Sequence, residues 1–144
     1  MEKMTKKATL ILFQDFLTSN DTLRVYRNSD CIFKSDKDVL APLVEFISTY
    51  SSDRDNLVIL DKVSGNAAAL LAIKAGAVKV LSPLGSKLAA DTLTQYNIDY
   101  YIETIVPYIL ARNGKDMCPM EKLSLHKTQE DFYQLVKQRF YTRL

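Results

Sequence analysis

The chain has 144 residues, 47% hydrophobic and 25% charged, the length and balance of one packed domain and not of a disordered or fibrous chain. Its 19 basic and 17 acidic residues leave a formal net charge of +2, so no strong field for nucleic acid or anionic lipid is implied. Two cysteines, Cys31 and Cys118, are too few for a disulfide framework or a four-thiolate zinc site.

The basic start, Met1 to Lys7, leads into an apolar run from Ala8 to Phe13 that Gln14 and Asp15 interrupt before signal-peptide length. No later run approaches the ~20 apolar residues of a membrane span, and a cytoplasmic protein with no membrane partner is expected. Thr5 to Leu17 carries Leu10, Ile11, Phe13, Phe16 and Leu17 at helical spacing, and Ser19-Asn20-Asp21 ends that helix. Leu23 to Tyr26 and Cys31 to Phe33 flank the polar turn Arg27-Asn28-Ser29-Asp30, a β-hairpin pattern. Asp36 or Asp38 is expected to cap a helix built on Val39, Leu40, Leu43, Val44, Phe46 and Ile47, reaching Tyr50 with Pro42 in its first turn. After a polar loop, Ser51 to Asn56, the wholly apolar Leu57 to Leu60 reads as a strand buried on both faces of a parallel sheet.

Ser64-Gly65-Asn66 opens a helix of small and apolar residues, Ala67 to Ile73, with Gly76 suited to the left-handed position after it. Ala77 to Leu81 is the next strand, Pro83 and Gly85 mark a loop, Ser86 to Tyr96 a helix and Ile98 to Ile102 the last strand. The β-α-β-α-β alternation demands parallel crossovers, and the hairpin extends that sheet. The expected fold is a three-layer α/β/α sandwich on a five-stranded mixed sheet, one domain over residues 1–144. Beyond the last strand, Val106 to Ala111 reads as a short helix and Arg112 to Leu125 as an ordered loop. Thr128 to Tyr141 reads as a terminal helix with Phe132, Leu135, Val136, Arg139 and Phe140 on one face. Its basic residues Lys137, Arg139 and Arg143 lack the aromatic interleaving of a single-strand binder. The helix is expected to dock on its own domain or to build a homo-oligomer with a twin subunit.

Two segments stand out against this background: Asp61-Lys62-Val63-Ser64-Gly65-Asn66-Ala67-Ala68-Ala69-Leu70-Leu71, and Cys118-Pro119-Met120-Glu121-Lys122 following Arg112-Asn113-Gly114. With the element order, they resemble an uncharacterised bacterial family of cytidine-deaminase-like fold, from the first helix to about Leu125, with residues 126–144 as an added helix. The resemblance implies a fold and no activity. Zinc-dependent members of that superfamily hold the metal with a His or Cys beside a catalytic Glu at one helix start and a Pro-Cys-x-x-Cys at the next. Here the corresponding starts, Lys34 to Asp38 and Asp61 to Asn66, contain neither thiol nor imidazole, and the single histidine, His126, follows the last strand. Cys31, Cys118 and His126 match no zinc spacing. No metal or other cofactor is expected.

Ligands of open α/β sheets collect beyond the carboxyl ends of the strands, where the Asp61 to Asn66 turn falls. Ser64 suits a helix cap, Gly65 close approach to the backbone, and Lys62 with the positive helix end a phosphate or carboxylate. Asp61 either binds a ligand, acts as a base or caps the turn. The segment is neither a Walker loop nor a dinucleotide fingerprint. In the second segment a thiol (Cys118), a carboxylate (Glu121) and an ammonium (Lys122) lie within five residues. Cys118 is a candidate nucleophile or a buried structural cysteine, and Arg112 and Asn113 bind an anion or cap the preceding chain.

The function expected is metal-independent binding of a small polar metabolite or a nucleoside or nucleotide. The alternatives are an enzyme with Asp61 as base, Cys118 as nucleophile and Lys62 or Lys122 stabilising negative charge, and a protein-interaction module working through the terminal helix.

Overall fold

Helix α1 (Lys6–Thr18) starts where the Thr5 hydroxyl accepts the Ala8 amide at 3.1 Å, and it turns Phe13 and Phe16 inward. The computed structural model describes residues 5–50 and 55–141; Met1 to Met4, Ser51 to Arg54, Thr142, Arg143, Leu144 and the Phe140 and Tyr141 side chains lie outside the described residues. Strands β1 (Leu23–Arg27) and β2 (Asp30–Ser35) form the hairpin, with Asn28 at φ 56° in its turn. Asparagine tolerates that left-handed conformation better than most side chains. Then follow α2 (Ala41–Thr49), β3 (Leu57–Asp61), β4 (Val63–Ser64), α3 (Asn66–Ala75), β5 (Ala77–Ser86), α4 (Lys87–Gln95), β6 (Asp99–Val106), α5 (Pro119–Ser124) and α6 (Gln129–Tyr141).

The fold is mixed α/β, with a six-stranded mixed sheet and six helices among the described residues. Strand β3 pairs antiparallel with β1 and parallel with β5, and β6 runs parallel along the other side of β5. The expected five strands become six because the chain rejoins the sheet after Lys62, where Val63 and Ser64 pair with Leu84 and Gly85. This also overturns the loop expected at Pro83 and Gly85, since β5 runs on to Ser86. Pro83 falls between the β3 pairing, which ends at Leu81, and the β4 pairing, which begins at Leu84, where its missing N–H does least damage to the ladder.

The two faces of the sheet are covered unequally. Phe13, Phe16, Tyr26, Leu60 and Leu81 form a small core under α1. On the other face the larger core takes Leu23, Ile59 and Val80 from the strands with Phe46, Leu70, Leu71, Leu93 and Phe132 from α2, α3, α4 and α6. Helix α3 is buried on nearly every side, as its alanines require, and ends at Gly76 with φ 100°. The apolar stripe of α6 is spent on α3 and α2 of the same chain: Phe132 and Val136 are fully buried and Tyr133 nearly so, while Arg139 is exposed.

Three further expectations change. Neither Asp36 nor Asp38 caps α2, whose N-cap is Leu40 without a side-chain bond, and Val39 before it stands exposed at φ 58°. No helix forms over Val106 to Ala111, because β6 continues to Val106 and Pro107 ends the pairing. The expected loop over Arg112 to Leu125 contains α5, which has proline in its first turn. No described helix is long and apolar enough to cross a membrane.

Candidate functional site

The chain leaves the sheet at Asp61 and enters α3 at Asn66, so the turn between them lies at the carboxyl end of β3. Facing it is a segment folded back on itself. The Cys118 amide donates to the Ile109 carbonyl at 2.8 Å, the Ala111 amide donates to the Asp116 carbonyl at 2.7 Å, and Leu110 bridges Met117. Asn113 holds the tip, its Oδ1 accepting the Lys115 and Asp116 amides at 2.9 and 3.1 Å, and Gly114 takes φ 72°. Between turn and folded segment lies a cavity of about 840 Å³, bordered on a third side by Asp38, Val39 and Leu40. Its size is that of a small-molecule site. Much of its wall is apolar, from Val39, Val63, Ala68, Leu110 and Met120.

Behind the turn, polar groups are closed into a network. The Glu121 carboxylate, 2% exposed, accepts the Asn66 amide on Oε1 and the Ile109 amide on Oε2, the latter at 2.6 Å. It thereby caps α3 and ties the folded segment to it. Asn66 accepts the Thr92 hydroxyl on Oδ1 and donates through Nδ2 to Ser124 Oγ at 2.9 Å, and Ser124 Oγ donates to the Glu121 carbonyl at 2.7 Å. Ser64 shares a hydrogen bond with Ser82, both buried. Gly65 gives the room this packing needs, since a Cβ there would press to 3.0 Å from both Glu121 Oε1 and Ile109 Cγ1.

Comparison with known proteins places the chain. The model of the family TM1506, a domain of unknown function (DUF1893), matches residues 13–140. The chain belongs to that family. A crystal structure of the DUF1893 family protein TM1506 from Thermotoga maritima superposes with a TM-score of 0.83 at 25% identity, covering 96% of this chain and 93% of that one. A search of curated proteins gave no match. The DUF1893 match runs to residue 140, within α6, and Phe132, Tyr133 and Val136 of α6 belong to the larger core.

In this DUF1893 chain the residues singled out in the sequence divide into two sets. Asp61, Lys62, Gly65, Arg112, Asn113, Cys118 and Glu121 all border the cavity; Ser64, Asn66 and Lys122 do not. Ser64 and Asn66 face the buried network, and Lys122 is exposed elsewhere. Ser64 makes no cap for α3; Glu121 supplies that bond from 55 residues away. The Lys62 ammonium, expected to favour an anion at the helix start, donates to the Ser19 and Asp21 carbonyls at 2.8 Å each and lies 4.6 Å from the centre of the Phe16 ring. Cys118 is half-buried in the cavity wall, whereas Cys31 and His126 are exposed away from it. No three His, Cys, Asp or Glu side chains among the described residues come together as metal ligands.

Asp61 is the distinctive group. Half-buried at the cavity wall, it has no cationic partner among the described residues and accepts only a long bond, 3.4 Å, from the Val63 amide. Burial pushes its carboxyl up to about 7, against the smaller opposite pull of the Val63 and Lys62 amides. Sequence reasoning missed Thr22, Asp38 and Val39, which also border the cavity. No local signal marks them, and a β-branched residue at positive φ is an outlier that sequence pattern would never assign.

Proposed function

We propose that this DUF1893 protein binds, without metal, a small metabolite of about nucleoside size in the cavity between the Asp61 to Asn66 turn and the Cys118 loop. The observation that carries this reading is a preformed, largely apolar cavity of about 840 Å³ at a strand end, with a half-buried carboxylate, Asp61, in its wall that accepts only a long bond. An apolar body with a few oriented polar groups is the usual composition of such sites. The order of elements resembles the cytidine-deaminase-like fold, which supports a ligand site at this rim. The residues do not fit that superfamily's zinc: Cys118 is the only thiol or imidazole bordering the cavity, and Glu121, at the helix start, is fully engaged by backbone amides. Nothing in this reading passes through a metal.

The test is a titration of the labelled protein with cytidine and adenosine, followed by amide NMR. Shifts confined to residues 61–68 and 109–121 are expected. Shifts on the α1 face, or none at millimolar ligand, would refute the reading, as would stoichiometric zinc in the purified protein.

A second reading, catalysis by Asp61 as base with Cys118 as nucleophile, draws on one observation: both residues border the same cavity. An activated thiol would make Cys118 react with iodoacetamide faster than Cys31 does, although Cys31 is the more exposed.

A further inference from the structure

We infer that the cavity selects by charge, taking ligands that present an amine or a ring N–H to Asp61 and rejecting those that carry a phosphate or carboxylate. This rests on the cavity being a ligand site, and it narrows the ligand to a class.

Helix starts commonly receive anions, and α3 has ten residues and begins at this cavity. Here the place is filled from within. Glu121 sets a full negative charge against the roughly half-unit positive charge of a helix start, and its two oxygens already hold the Asn66 and Ile109 amides. The second expected anion-binding group, Lys62, gives two of its N–H bonds to the Ser19 and Asp21 carbonyls and lies against Phe16. The carboxylates bordering the cavity are Asp38, Asp61 and Glu121, against Lys62 and the exposed Arg112. Of these, Asp61 is the one half-buried carboxylate with acceptor capacity to spare, because its bond to the Val63 amide is long. An incoming phosphate would meet carboxylates where a binding site for it needs donors. An incoming amine meets an acceptor, with Val63, Ala68, Leu110 and Met120 available for its apolar body.

Benzylamine and benzoate test this, being nearly isosteric and opposite in charge. At about pH 8, where Asp61 is ionised, amide shifts of Val63, Gly65 and Ala68 are followed in wild type and in Asp61→Asn. The expected result is roughly tenfold or greater preference for benzylamine in wild type, falling to within about twofold in the variant once the charge is gone. Benzoate binding as tightly as benzylamine would overturn the charge selection and leave the cavity a ligand site. A preference that survives in Asp61→Asn would overturn the role of Asp61. If neither compound shifts these amides at tens of millimolar, the ligand reading fails and this inference fails with it.

Discussion

Two halves of one six-residue turn make opposite use of their polar groups. From Ser64 to Asn66 every polar side chain is buried and bonded, to Ser82, Thr92 and Ser124, and Glu121 seals the helix start. From Asp61 to Val63 the carboxylate faces a cavity with one long bond, while the neighbouring ammonium is turned away to carbonyls on the α1 side. Under the proposed function, the difference separates the group that binds from the groups that hold the turn. A satisfied network holds the backbone rigid, and the group it leaves unsatisfied is the one available to a ligand.

Breaking the sealed half should have the largest effect. Glu121→Ala leaves two amides without their acceptor and an empty space between α3 and α5, and should cost about 3 kcal/mol in chemical denaturation. Glu121→Gln keeps one acceptor but sets its NH2 donor against the other amide, and should cost about as much. Lys62→Met removes two charge-assisted bonds and should cost about 2 kcal/mol, but it should not weaken binding of the benzylamine probe. A Lys62→Met variant that lost the probe at unchanged stability would move that ammonium into the ligand site. Gly65→Ala presses a Cβ to 3.0 Å from Glu121 and Ile109 and should cost about 1–2 kcal/mol, measured as a lowered melting temperature.

The architecture was legible where local pattern and tertiary structure agree. Phe13 and Phe16 at helical spacing, the hairpin around Asn28 and the α3 alanines closed by Gly76 all appear as the sequence implies. It was not legible where a distant partner decides. Pro83 and Gly85 look like loop residues until a sheet with a gap at Pro83 accommodates them. Glu121 reads as a site residue because its density with Cys118 and Lys122 is local, whereas the amide it caps lies 55 residues away. The strand-end rule found the turn that borders the cavity. It did not foresee that the anion position there would be occupied by the chain's own carboxylate.

The most direct test of the account is the pH dependence of the stability difference between wild type and Asp61→Asn. In the folded protein Asp61 titrates at about 7, above the ~3.9 of an unfolded chain. The native state therefore binds the extra proton between those values, and wild-type stability from this group falls as pH rises from about 4 to about 7. The asparagine carries no such penalty. It should match wild type near pH 4 and exceed it by about 1–2 kcal/mol above pH 7, a figure discounted for water in the cavity. A difference that does not change with pH, or a variant less stable than wild type at pH 8, would mean that Asp61 is a paired structural carboxylate and not an acceptor open to a ligand.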